Sequence, residues 1–227
     1  ILYADAVSTV SPTYAQEILT PEYGEGLDGV LKYRKTRLFG ILNGLDTETF
    51  DPATDPHLAA RYDRESLDRK VDNKLALQRE GQMTVDPSIP LVAIVSRLAD
   101  QKGFDLLEPI VEPLLSEAGI QLVLLGTGDQ HYQELFHRLG ERHPDQTAIA
   151  LTFDVALAQR IYAGADLFLM PSRYEPCGLG QMIAMRYGTV PVVRCTGGLA
   201  DTVADYDPAT GEGTGFVFEH YTSHACF

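Results

Sequence analysis

Leu91-Val92-Ala93-Ile94-Val95-Ser96-Arg97-Leu98-Ala99-Asp100-Gln101-Lys102-Gly103 is the stretch that decides how the chain folds. Five apolar residues run straight into a polar loop carrying two cations, and a helical pattern follows over 104–117. A short run that is apolar throughout, rather than alternating, suits a strand buried on both faces. Toward the C-terminus the alternation continues. Strands are predicted over 121–125, 147–151, 167–170, 190–193 and 215–218. Between them lie helices over 132–139, 154–163, 179–187 and 196–203, with Asp154 as a cap, Gly164 closing the second helix and Gly188 the third. Strands of this length alternating with helices predict βαβ units: an α/β fold, doubly wound and Rossmann-like, with helices on both faces of a parallel sheet. In such sheets ligands bind beyond the carboxyl ends of the strands.

Toward the N-terminus the pattern is less regular. A polar helix with apolar spacing is expected over 67–78, after a Pro-punctuated loop at 51–56. A short strand over 38–43 is stopped by Asn43-Gly44, and 23–37, Gly-rich and then basic, reads as loop. A strand over 6–10 precedes a helix with Ser11 as N-cap and Pro12 in its first turn.

Composition bounds the function. The chain has 227 residues, 44% hydrophobic and 22% charged, an ordinary globular balance. Its formal charge of −14 makes a nucleic-acid or anionic-membrane partner a poor fit, because the long-range field repels polyanions. Any phosphate must be met by a few placed cations and main-chain N–H groups. Cys177, Cys195 and Cys226 are too far apart for a disulfide framework or a zinc pattern, and point to a reducing, cytoplasmic setting. None of the six histidines has metal-ligand spacing, so no metal site is expected. No apolar run reaches membrane-spanning length. The start on Ile1 without a Met, and the end on Phe227 just after a strand-like run, read as a piece cut from a longer protein.

Four segments carry chemistry. Arg97 and Lys102 follow a strand, where a forked guanidinium, an ammonium and the close backbone approach allowed by Gly103 suit a diphosphate; taken alone they are equally two solvated cations. Gly126 and Gly128 close the next strand, either as a tight turn or as a close approach to a nucleotide; the third Gly of a dinucleotide fingerprint is missing. Pro171-Ser172-Arg173-Tyr174-Glu175-Pro176-Cys177-Gly178-Leu179-Gly180-Gln181 is the densest segment. It places Glu175 just off a strand end, where a carboxylate needs a partner. It also sets Cys177, Gly178 and Leu179 at a helix start, where N–H groups face an anion or sugar hydroxyls. Thr196, Gly197 and Gly198 repeat the arrangement, as a second anion-binding helix start or a plain strand-to-helix turn. No His lies near Cys177 in sequence, which argues against a nucleophile there.

Together these segments resemble the bacterial glycogen synthase and plant starch synthase family, whose members have the two-domain GT-B fold. The matching motifs run in the family's order: Val10-Ser11-Pro12-Thr13-Tyr14, Ile41-Leu42-Asn43-Gly44-Leu45-Asp46, the 96–103 loop, Glu175-Pro176-Cys177-Gly178-Leu179, and 196–203. The resemblance implies transfer of glucose from ADP-glucose to the non-reducing end of an α-1,4-glucan, with retention, releasing ADP and using no cofactor or metal. It implies that Arg97 and Lys102 hold the diphosphate and that Glu175 positions the glucosyl group. Phe153 stands where an aromatic stacks on adenine, and the groups around 177–179 and 197–198 hold hydroxyls and phosphate. Broader relatives carry a second Glu eight residues after the first; Ile183 stands there, which favours the ADP-glucose branch over a UDP-sugar transferase of the same fold. A non-catalytic nucleotide-sugar module would have its motifs eroded at Arg97, Lys102 or Glu175, and all three stand. Some bacterial members have a hydroxyl residue at Gly180. The family's Lys-x-Gly-Gly-Leu motif, and its His and Asp near the reacting sugar, belong to an amino-terminal domain missing from this sequence. The resemblance therefore divides the chain into 1–37, the end of that domain, and 38–227, an incomplete nucleotide-sugar-binding domain. It makes the missing domain a partner of this half.

Overall fold

The computed structural model describes residues 1–226. In chain order the elements begin β1 (Val7–Thr9), α1 (Pro12–Glu17), α2 (Asp28–Tyr33), β2 (Leu38–Gly40) and α3 (Lys70–Glu80). Next come β3 (Leu91–Val95), α4 (Phe104–Leu107), α5 (Val111–Ser116), β4 (Gln121–Leu125) and α6 (Gln130–Arg142). The remainder are β5 (Thr147–Ala150), α7 (Val155–Gly164), β6 (Leu167–Met170), α8 (Gly180–Arg186), β7 (Val190–Arg194), α9 (Gly197–Thr202), β8 (Phe216–Phe218) and α10 (Ser223–Cys226). Six strands form one parallel sheet in the order β5-β4-β3-β6-β7-β8. The α/β, doubly wound parallel sheet is the fold the sequence predicts.

The apolar runs explain the layers, because successive strand residues face opposite sides. Leu91, Ala93, Val123 and Leu125 join Leu77, Ile161, Phe168 and Tyr187 in one core. Val92, Ile94, Leu122 and Leu124 join Phe104, Leu115, Phe136 and Leu139 in the other. β3, β4 and β6 have the bounds read from the sequence, since a strand covered on both faces is apolar along its length; Gln121, which opens β4, is the exception, its buried amide bonded to Gln78 and to Thr84 O.

The structure differs from the sequence reading in several places. Residues 23–37 are not all loop: α2 forms, with Asp28 in its first turn and Lys32 in its last, joined at 3.0 Å across one turn. The expected helix over 104–117 is broken into α4 and α5, with Pro109 at the break, where its ring removes a backbone donor. Gly164 does not close α7 in a left-handed conformation. It is the last residue of that helix, and a Cβ there would lie 3.0 Å from the Asn73 carbonyl, so the missing side chain lets α3 approach. The helix end is met instead by the Lys70 ammonium, which donates to the Ala163 carbonyl at 2.7 Å and to Thr189 Oγ1 at 2.7 Å.

β1 and β2 form a separate two-stranded parallel sheet, with Val7 opposite Leu38 and Thr9 opposite Gly40. β2 therefore pairs with the first segment and with none of the six strands. Ser11 caps α1 by accepting from the Tyr14 N–H at 2.9 Å, and α1 lies against α9. No helix among the described residues is long and apolar enough to cross a membrane.

Candidate functional site

All six strands run in one direction, so the loops after β3, β4, β5, β6 and β7 gather at one edge of the sheet. The chain steps outward from β3 to β5 and then returns to the other side of β3 as β6. The β3–β6 boundary is thus the switch point, where adjacent loops diverge and leave a crevice.

Lys102 and Glu175 meet across that boundary. Nζ of Lys102, after β3, lies 2.5 Å from Oε2 of Glu175, after β6. The side chains retain only 17% and 8% of their exposure, so each is the other's main compensation for leaving water. Ser172 Oγ donates to the same carboxylate oxygen at 3.3 Å. The two loops approach so closely that a Cβ at Gly103 (φ +77°) would fall 1.9 Å from the Pro171 carbonyl oxygen, so only glycine fits.

The loop carrying Glu175 is held by its carbonyl groups. Arg194, nearly buried at the end of β7, donates to Ser172 O at 2.8 Å and also to Arg173 O. Gln101 Nε2 donates to Tyr174 O at 3.2 Å, and the Gly198 N–H to Glu175 O at 3.0 Å. Tyr221 lies beneath the guanidinium groups of Arg173 (4.7 Å) and Arg194 (5.5 Å), and its hydroxyl donates to Asp105 at 2.5 Å. Burial, reinforced by Asp105, pushes the Tyr221 phenol up to about 12, which keeps it a neutral donor at physiological pH.

Arg97 is exposed, and its only side-chain hydrogen bond among the described residues is to Gln101 Oε1 at 3.2 Å. It stands at a cavity of about 300 Å³ that opens beside the same crevice. Phe50, Val95, Leu125, Phe153, Tyr162 and Ile183 supply the apolar lining, and Gly126 and Thr127 part of the rim. Phe153, at the mouth of this cavity, is 84% exposed. Gly126 and Gly128 lie against the backbone of the β3 loop: Leu98 N donates to Thr127 O at 3.0 Å, and Asp129 N to Leu98 O at 2.7 Å. Their missing side chains serve that contact, since a Cβ would meet Ser96 O or Leu98 O.

The two glycine-bearing helix starts differ. At the start of α8, Cys177 is buried, Leu179 is 44% exposed, and the Gly178 and Leu179 N–H groups have no acceptor among the described residues. At the start of α9, Glu17 of α1 accepts from the Gly197 N–H and from the Thr196 hydroxyl, both at 2.9 Å. The other donor there, the Gly198 N–H, is the one already bonded to Glu175 O. A second carboxylate strengthens the joint: Asp201 accepts from the Thr13 N–H at 2.9 Å and hydroxyl at 2.6 Å. The structure thus brings Arg97, Lys102, Phe153, Glu175 and 177–179 to one crevice, and gives Thr196, Gly197 and Gly198 to an internal contact.

Sequence reasoning missed Glu17, Phe50, Gln101, Tyr162 and Arg194. Apart from the Arg97–Gln101 bond, their partners lie tens of residues away or more, and no local spacing marks them. A larger open groove, about 720 Å³, lies outside β5 between Glu80, His137 and Asp145 and holds none of the expected residues.

Residues 89–225 match the family described as Glycosyl transferases group 1, and residues 1–33 match the Starch synthase catalytic domain. The chain is 59% identical to a glycogen synthase of Gloeobacter violaceus, over 97% of this chain and 48% of that protein. It is 57% identical to one of Kosmotoga olearia, over 97% and 46%. Among solved structures it resembles the catalytic domain of starch synthase IV from Arabidopsis thaliana bound to ADP and acarbose. There the TM-score is 0.91 and the identity 41%, over 99% of this chain and 47% of that one. A sucrose-phosphate synthase from Thermosynechococcus elongatus, at 21% identity and a TM-score of 0.63, over 99% of this chain and 47% of that one, shares the fold. The chain spans about half the length of the curated relatives it matches.

Proposed function

This chain belongs to the group 1 glycosyl transferases, and from that membership we propose that it is the donor-binding half of a glycogen (starch) synthase using ADP-glucose. The observation that carries the reading is the Lys102–Glu175 pair at the sheet's switch point, with Arg97 standing between it and an apolar cavity walled by Phe153. A nucleotide sugar has the matching sequence of parts: a flat base, a diphosphate and a polar sugar.

In this reading adenine enters the cavity and stacks on Phe153, which explains an exposed aromatic at its mouth. Arg97 and Lys102 take the diphosphate. The Lys102 ammonium has three donors and gives one to Glu175, so two remain for phosphate oxygens. Glu175, fixed by Lys102 and Ser172, faces the glucosyl group, and the free N–H groups of Gly178 and Leu179 meet its hydroxyls. As the glycosidic bond breaks, positive charge grows on the sugar and negative charge on ADP. Cations already in place stabilise the departing diphosphate without reorganisation. No protein nucleophile is assigned; the leaving phosphate oxygen accepts the proton of the incoming glucan hydroxyl on the same face, which gives retention. The charge work is assigned to side chains and to no metal. The α-1,4-glucan acceptor and the remaining sugar contacts belong to an amino-terminal domain. The 227-residue chain alone is therefore expected to bind ADP weakly without turnover.

The test is transfer of labelled glucose to glycogen by the intact protein, with ADP-glucose and UDP-glucose in competition. Incorporation from ADP-glucose into α-1,4 linkages is expected. A preference for UDP-glucose overturns the nucleotide assignment, and no transfer from either overturns the reading. Calorimetric titration of ADP into the 227-residue chain checks that its half of the site is preorganised.

A further inference from the structure

We propose that Gln181 is a positioning residue that sets the direction of the main-chain N–H groups facing the donor sugar, an inference that rests on the donor site proposed above. Gln181 is fully buried in the first turn of α8. Its Nε2 lies 3.0 Å from the carbonyl oxygen of Cys177, 3.0 Å from that of Gly178, and 3.0 Å from Thr202 Oγ1. Carbonyl oxygens cannot donate, so the amide nitrogen and not its oxygen must face them. Thr202 gives its own proton to Gly198 O at 2.6 Å, and so meets Gln181 as an acceptor too.

Peptide geometry turns this contact into an orientation. A trans peptide unit is planar, with its C=O and N–H pointing in opposite directions. The Cys177 carbonyl shares a plane with the Gly178 N–H, and the Gly178 carbonyl with the Leu179 N–H. Drawing both carbonyls inward onto one amide turns both N–H groups outward, and these are the two without an acceptor among the described residues.

Two further observations tie the arrangement to Gln181. Gly178 has φ +71°, and a Cβ there would lie 2.5 Å from Gln181 Oε1, so any side chain at 178 displaces the amide. That same Oε1 is buried without a donor. A stranded acceptor costs about 1–3 kcal/mol, which an apolar side chain of similar size avoids. The reason for Gln at this position lies in its donor end.

The experiment compares ADP and ADP-glucose binding, and turnover, in the intact protein and its Gln181→Met variant, which keeps the volume and removes the donors. ADP-glucose is expected to bind about tenfold more weakly and kcat to fall at least as much, while the Kd for ADP changes less than about twofold, because ADP lacks the hydroxyls these N–H groups meet. A Gln181 that only supports the fold weakens both ligands alike or neither, and either result overturns the inference. Should Gln181→Met not fold, Gln181→Glu decides. Ionised, it presents only acceptors to the carbonyls; protonated, it regains one donor. The affinity for ADP-glucose relative to ADP is then expected to recover as pH falls toward 5 in the variant and to stay level in the wild type; a level ratio in both overturns the proposal. Wild-type protein that gains nothing from the glucosyl group defeats the donor-site reading, and this inference with it, before any variant is made.

Discussion

The starts of α8 and α9 share a pattern in sequence: each comes after a strand, opens with glycine and turns helical. In the structure they have opposite fates. The α8 start leaves the Gly178 and Leu179 N–H groups open, while at the α9 start Glu17 and the Glu175 carbonyl take the Gly197 and Gly198 donors. A strand–glycine–helix pattern therefore specifies where donors can be, not whether a ligand will find them free. A carboxylate 180 positions away in sequence decides the second case.

Four measurements press on that contrast. On the open side, Lys102→Ala in the intact protein is expected to lower kcat by about 10²–10³-fold, the scale of removing a charge-stabilising group. It also strands the buried Glu175 carboxylate, and denaturant unfolding is expected to show a loss of about 3 kcal/mol. Unchanged turnover would remove Lys102 from the phosphate site. On the closed side, Glu17→Ala is expected to cost about 2 kcal/mol of stability in the same assay, while the Kd for ADP moves less than about twofold. Tighter ADP binding in that variant would show that the α9 start is a ligand seat after all, and the contrast would dissolve. Phe153→Ala probes the open side away from the charges: ADP should bind about tenfold more weakly by calorimetry, with thermal stability unchanged because the ring is solvated. Tyr221→Phe is the mildest, expected to cost about 1 kcal/mol through the lost bond to Asp105 while the stack under Arg173 and Arg194 persists. A large loss of activity there would mean that the hydroxyl, and not the ring, holds the Glu175 loop.

What could be read from the sequence follows from how local the cause is. β3, β4 and β6 were legible to the residue because burial on both faces makes their runs apolar, with Gln121 at the start of β4 the one polar member. The fold class and the loops bearing Arg97, Lys102 and Glu175 followed from that alternation. α2 was missed because its few residues rely on end charges and one Asp28–Lys32 pair, a weak local signal. The break between α4 and α5 was legible in Pro109, yet the apolar spacing on either side outweighed it. Glu17, Arg194 and Phe50 were illegible for another reason: each acts through a partner on a different element, and one sequence carries no trace of who meets whom.

The manner in which the Glu175 loop is fastened bears on how such a site tolerates change over generations. The donors at 178 and 179 are main-chain atoms, and at Leu179, 44% exposed, only proline deletes one. Drift can therefore exchange the Leu179 side chain while the donor at 179 stays. The side chain that keeps those donors turned outward lies a layer behind, at Gln181, which grips the carbonyl groups on the far side of the same peptides, while Gln101 and Arg194 grip carbonyls earlier in the loop.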